Sequence, residues 1–411
     1  MHDHHRIRAL LDARRPGHTL PQPFYTDPDL YRFDLDAVFA RSWIAVGFEC
    51  EVAEPGSYLA ARIGASPIVI TRARDGALRG FHNACRHRGA QLCAEGAGRR
   101  SLLVCPYHQW SYGLDGRLVR AARMGENFDP AEHGLVPVRV EAVAGTLYAC
   151  LAEDAPDFAP FRREVEPLLA PLALQDAKVA HVDTLVERGN WKLVMENARE
   201  CYHCDAKHPE LSFTFPTGAR GNFESEGDPA RIAFDDRMAA RGLPVGPVDG
   251  DWYQAARFAL NDGCASMTED GRACVARPLA ALTEGDVGSL RWALEPHSFA
   301  HAVGDFAFLF SAMPTGPRET VVTSKWLVHR DAVEGVDYDL GTLTALWTAT
   351  NLQDRDLVEN NQRGVDGAGY RPGPYSPEGE ALCARFTDWY CRKARDYLDA
   401  VAPARRLEAA E

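Results

Sequence analysis

Asn83-Ala-Cys-Arg-His-Arg-Gly-Ala90 and Cys105-Pro-Tyr-His-Gln-Trp-Ser-Tyr112 carry two cysteines and two histidines in matched order, with seventeen residues between His87 and Cys105. Each stretch offers one thiolate and one imidazole. Gly89, Pro106, Gly113 and Gly116 stand close by, as expected where backbone turns tightly to aim loops and amides at a buried group.

A structural zinc site can be built from four such residues, but zinc fingers pair Cys with Cys and His with His. The mixed C-x-H and C-x-x-H pairs instead suit a Rieske [2Fe–2S] centre, in which Cys85 and Cys105 hold one iron and His87 and His108 the other. Cys93 is read as a small buried hydrophobe and not a fifth ligand.

Working outward, Ile44 to Cys150 shows short β-type runs such as Ser66–Thr71 and Ser101–Cys105, punctuated by glycines and polar turns. Beyond Pro156 the pattern predicts helices over 159–170, 190–204, 340–361 and 378–398, the last followed by a frayed tail. Strands are predicted at 301–313 and 320–329, with Phe306, Phe308 and Phe310 alternating onto one face. The Gly-, Asp- and Pro-rich stretch 216–288 reads as a lid or a pocket wall.

A chain of 411 residues accommodates a large catalytic body. Its formal charge, 45 − 58 = −13 at pH 7, argues against nucleic acid as the partner. No apolar run approaches a membrane span and no signal-peptide core is seen, so the expected location is cytoplasmic, off the membrane. Eleven unevenly spaced cysteines suit reduced thiols and metal ligands better than a disulfide scaffold.

A Rieske centre needs an electron acceptor, and the chain has neither a haem motif nor a G-x-G-x-x-G loop to supply one. The stretch Asn190–Pro209 carries His203 and His208, five apart, which converge only if the helix ends or bends near Ala206–Pro209. Two His and one carboxylate on one face of a non-haem Fe(II) leave positions open for O₂.

The two cluster stretches together resemble a Rieske oxygenase α subunit. The ubiquinol-oxidising Rieske proteins differ in an extra disulfide bracing the loops, and no Cys stands beside His87 or His108. The resemblance implies an α+β fold: a Rieske β domain at 44–155, a helix-grip catalytic domain (antiparallel sheet with helices) at 156–411, and an N-terminal segment 1–43 packed on the latter. It also implies mononuclear Fe(II) held by His203, His208 and Asp354, with Asp356 as the fallback. Glu200 matches the carboxylate that links one subunit's cluster to its neighbour's iron, where many ring-hydroxylating relatives have Asp.

The likeness is nearest to glycine betaine and related quaternary-ammonium demethylases. It is carried by Arg15–Gly17, Gln22–Asp27, Glu196–Leu211, Trp326–His329, Glu334–Asp339, Gln362–Gly364 and Pro372–Ser376. It implies an O₂-dependent monooxygenase that hydroxylates an N-methyl group and releases formaldehyde, working as a homotrimer with a separate flavin/iron–sulfur reductase that draws on NAD(P)H. Aromatic faces hold such a cation, and Tyr202, Phe308, Phe310 and Trp347 are the candidate rings. Relatives tend to have Asn where this chain has His297, and Glu269-Asp-Gly271 is more acidic than expected, so both are candidates for a changed pocket. Two alternatives stay open: hydroxylation of an aromatic ring, and an electron carrier or zinc-stabilised binding protein without oxygenase activity.

Overall fold

Alternating apolar residues between Ile44 and Cys150 fold into one antiparallel sheet in the structure, a computed structural model describing residues 3–217, 229–279, 282 and 286–408. Its strands run in the order 44–48, 146–150, 137–143, 78–82, 66–72, 57–63 and 96–99. The pleat sends Leu59, Ile68 and Ile70 into the large core shared with the rest of the chain. Tyr58, Ala60 and Val69 point into a smaller core around Cys85 and Cys105. A register slip of one residue would exchange these faces, which fixes the pairing. A second sheet of three short strands, 103–104, 111–112 and 118–120, carries the second cluster loop.

The remainder builds a seven-stranded antiparallel sheet in the order 177–187, 319–329, 307–316, 298–302, 289–294, 253–258 and 248–249. The single strand expected over 301–313 is two, because the chain turns at 303–306, where Val303 N–H donates to the Phe306 carbonyl at 3.0 Å. Helix Leu340–Val365, capped by Asp339 accepting from Thr342 N–H at 2.8 Å, packs against helix Trp191–Asn197 and strand 177–187. Helix Ala159–Leu169 forms despite Pro167. The closing helix begins at Ala381 and runs to Glu408, past the Leu398 end read from sequence. No helix among the described residues is long and apolar enough to cross a membrane.

The helix expected over 190–204 stops at Asn197. There i→i+3 bonds (Arg199 N–H to Glu196, 3.2 Å) replace the helical ladder, and the Arg199 side chain is drawn to Glu295 at 2.7 Å and to the Leu294 carbonyl at 3.0 Å. Residues 198–203 are left as a turn before a short helix, Cys204–Lys207. Within this segment Cys201 and Cys204 are joined as a disulfide, contrary to the expectation of reduced thiols; the other nine cysteines are free.

A buried ionic knot ties the first residues to this core. Lys192 pairs with Asp34, both fully buried, and donates to the Phe24 carbonyl at 3.0 Å, while Asp34 also accepts from Trp191 Nε1 (3.0 Å) and the Tyr390 hydroxyl (2.7 Å). Truncating one partner strands the other charge in the core. Asp34→Ala is therefore expected to cost on the order of 3 kcal/mol, read as a lowered urea midpoint at unchanged slope.

Candidate metal centres and substrate cavity

The two cluster loops are built alike. In each, the cysteine N–H donates to the carbonyl five residues on (Cys85 to Ala90 and Cys105 to Trp110, both 2.8 Å). Its carbonyl accepts from the N–H four residues on (Gly89, 2.8 Å; Gln109, 3.1 Å). The closing residues Gly89 and Gln109 both have left-handed backbone, φ +77° and +63°, which is free for Gly and disfavoured for Gln. Both thiols are buried and both imidazoles exposed, with the His87 and His108 rings 4.7 Å apart and His87 stacked on Trp110. Two inward sulfurs and two outward imidazoles fit a two-iron cluster with one iron on each side.

The Tyr112 hydroxyl accepts from Arg86 N–H at 3.0 Å and lies 3.3 Å from the Cys85 sulfur. With a cluster held by Cys85, this hydroxyl would donate its proton to the sulfur and stabilise the reduced state. Tyr112→Phe is expected to lower the reduction potential by tens of millivolts, roughly one modest hydrogen bond, as measured by redox titration of the cluster's absorption.

Some residues further on, three ligand-type atoms converge. His203 Nε2 and His208 Nε2 are 3.0 Å apart, and Asp354 Oδ1 is 3.3 Å from the first and 3.0 Å from the second. A metal with bonds of about 2.1 Å at right angles sets neighbouring ligands about 3.0 Å apart. Both Nδ1 atoms are occupied: His203 Nδ1 meets Glu200 at 2.5 Å, and His208 Nδ1 donates to Gln353 Oε1 at 2.7 Å, Gln353 in turn donating to Glu210 at 3.0 Å. These partners fix the tautomers and turn both Nε2 lone pairs inward. The Asp354 oxygen they face is buried, and its close neighbours are these two ring nitrogens, a donor set that fits a cation. Cys204 Sγ lies 4.0 Å from His203 Nε2 but is tied to Cys201, so the carboxylate is the better third ligand. Asp356 is not part of this cluster; it pairs with Arg355 at the surface.

The geometry also favours a proton on His203. Burial opposes charge on His203, but hydrogen bonds and attraction from Asp354 and Glu200 outweigh it and raise its pKa to about 9. A metal held by His203 would have to displace this proton. Uptake at pH 7 is thus expected to release a proton from this site, and affinity to fall about tenfold per pH unit below about 9. Titration calorimetry in buffers of different ionisation enthalpy reads that release.

The triad opens into a cavity of about 360 Å³. Phe310 and Trp347 line it as expected. Phe308 does not: it lies behind Trp347, stacked at 4.2 Å. Tyr202 is 61% exposed and outside the wall, because the unwound turn faces it to solvent. His297 is buried with Nε2 3.3 Å from the Ala45 carbonyl, against the first sheet, and does not reach the cavity. Glu269 and Asp270 are exposed, away from the wall. Of the stretch 216–288, Pro247–Asp249 and Gln254–Ala256 contribute wall; 218–228, 280, 281 and 283–285 lie outside the described residues.

Sequence reading missed Phe299, stacked on Phe310 at 4.7 Å, together with His301, Glu187 and Arg291, all in the wall. Glu187 is buried without a partner for Oε2, and desolvation, then Asp354, push its pKa up to about 8. A signal existed for Arg291, a lone cation in the apolar run Ser289–Leu294, and for Gln353, a polar side chain adjoining Asp354.

Two family models match the chain, the Rieske [2Fe–2S] domain over residues 42–138 and the ring hydroxylating alpha subunit (catalytic domain) over residues 174–395. The glycine betaine monooxygenase oxygenase subunit of Chromohalobacter salexigens is 42% identical over 405 residues, 96% of this chain and 90% of that one. Its counterpart from Pseudomonas aeruginosa is 42% identical over 399 residues, 95% and 92%. Among solved structures, a quaternary ammonium Rieske monooxygenase superposes with TM-score 0.69 at 23% identity, covering 94% of this chain and 98% of that one; this last likeness concerns fold alone.

Proposed function

The chain belongs to the family of Rieske oxygenase α subunits, and on that premise we propose that it N-demethylates a betaine-like quaternary ammonium compound with electrons from a separate reductase. The observation that carries the substrate is the cavity, which joins the His203–His208–Asp354 face to the rings of Phe299, Phe310 and Trp347. Such rings attract a desolvated ammonium by about 0.5–2 kcal/mol each. The 42% identity to glycine betaine monooxygenase oxygenase subunits supports the same reading.

We assign Cys85, His87, Cys105 and His108 to the cluster and His203, His208 and Asp354 to the iron. When bound, these groups supply O₂ activation: with two electrons and two protons, one oxygen enters the N-methyl C–H bond and the other leaves as water. The product carbinolamine then breaks its C–N bond, giving formaldehyde and the demethylated amine, without a protein nucleophile. The protein's own share is to orient the methyl group, hold it beside Phe299, Phe310 and Trp347, and keep both ligand imidazoles in one tautomer through Glu200 and Gln353.

In this reading the chain divides into an N-terminal segment 1–43, a Rieske domain 44–155 and a catalytic domain 156–411, which the family matches over 42–138 and 174–395 support. The exposed His87 and His108 support a head-to-tail homotrimer, in which each cluster presents its imidazoles to a neighbour's Glu200. The charge of −13 supports small-molecule and protein partners over nucleic acid.

The test is steady-state turnover of the metal-loaded protein with a reductase, NAD(P)H and trimethylglycine. Equal amounts of formaldehyde and dimethylglycine are expected. A hydroxylated ring from an aromatic acid, with no formaldehyde from any methylated amine, would replace this reading by ring hydroxylation.

A further inference from the structure

The cavity wall contains a cation that the metal chemistry does not use. Arg291 sits in strand Ser289–Leu294, where every residue is buried, and is itself 9% exposed, facing the cavity. Its hydrogen bonding within the described residues is one long contact, Nη2 to the Ala198 carbonyl at 3.4 Å, and its guanidinium lies 5.6 Å from the Phe299 ring. The carboxylate whose charge reaches it, Glu295, is already held by Arg199 through bonds of 3.2 and 2.7 Å.

Glu295 is thus held by Arg199, and among the described residues Arg291 has no carboxylate within ion-pair distance, although its guanidinium is buried in the wall. Such a charge is costly unless something pairs with it. The guanidinium fork is shaped to receive two oxygens side by side. Directly opposite Arg291 on the neighbouring strand stands His301. Burial, then Arg291, push its pKa well below the usual value, so it is neutral, and its Nδ1 is 2.9 Å from the Ser289 hydroxyl. With that hydroxyl donating to Nδ1, the tautomer puts N–H on Nε2, a second donor from the same wall.

We propose that Arg291 is the carboxylate anchor of the cavity, binding the anionic end of a zwitterionic substrate whose ammonium end lies among Phe299, Phe310 and Trp347. The ammonium half rests on the demethylation reading; the anchor does not. A site so built selects betaines by attraction and disfavours ammonium compounds without a carboxylate, which meet an unneutralised like charge.

Binding to the metal-loaded protein separates the two halves without turnover. The probes are 3,3-dimethylbutyrate, a carboxylate with no ammonium, and tetramethylammonium, an ammonium with no carboxylate, titrated calorimetrically into wild type, Arg291→Gln and Arg291→Lys. Arg291→Gln is expected to weaken 3,3-dimethylbutyrate and trimethylglycine about 10- to 100-fold while tetramethylammonium binds as well or better; Arg291→Lys recovers part of the loss. Retained tetramethylammonium binding shows that the variant is folded. Equal loss for both probes, assigning Arg291 a purely structural role, no loss for either, or failure of wild type to bind the carboxylate probe would each overturn the anchor. If the carboxylate split holds but wild type releases no formaldehyde, the demethylation reading falls and the anchor stands.

Discussion

Asp354→Ala is expected to abolish turnover while leaving the cluster intact. Removing partners that merely orient metal ligands costs 10- to 100-fold. On the proposed assignment Asp354 is one of three protein ligands, and its removal should exceed that, so a loss on the order of 10³-fold or more is expected. Asp354 supplies the oxygen that meets both imidazoles at 3.0 and 3.3 Å. Without it, His203 and His208 form a two-ligand site, and iron per chain should fall from about three to about two. The reduced cluster's EPR signal should keep its shape, because Cys85, His87, Cys105 and His108 lie in separate loops. Full iron and full activity in this variant would remove Asp354 from the site.

Glu200→Ala should give the second-largest loss by another route. Glu200 contacts His203 Nδ1 at 2.5 Å and accepts from the Tyr202 and His203 backbone N–H groups, so it holds both the ring and the turn that carries it. Its removal is expected to slow turnover about 100-fold, at the upper end for such partners, with most of the mononuclear iron retained. Rapid mixing of the reduced protein with O₂ and trimethylglycine should show slow reoxidation of the cluster. Glu200→Asp should recover part of the rate. Reoxidation at the wild-type rate in Glu200→Ala would exclude this carboxylate from the electron path.

How much of this was legible follows from what each residue's role depends on. The residues proposed as cluster ligands stand at a set spacing within two short loops, so local sequence displays them. His203 and His208 were legible as a pair, but the route by which they meet was not. A buried arginine drawn to Glu295 over ninety residues away ends the helix at Asn197, and no local propensity reports that. The same unwinding explains Tyr202, which a continued helix would have placed elsewhere. The cavity wall was the least legible part. Strands such as 289–294 are buried on both faces, so the alternation that normally separates inside from outside carries no contrast. Phe308 and Phe310 share a face, yet Trp347 stacks on the first and leaves the second open to the cavity.

The most direct test of the central claim is a single turnover without reductase. The reduced, iron-loaded protein is mixed with O₂ and trimethylglycine, and formaldehyde and cluster oxidation are measured on the same sample. Cluster and mononuclear iron each contribute one electron, so about one formaldehyde per occupied mononuclear site is expected, in step with loss of the reduced-cluster signal. A cluster that reoxidises with no formaldehyde, or that stays reduced in the presence of substrate and O₂, would contradict the account.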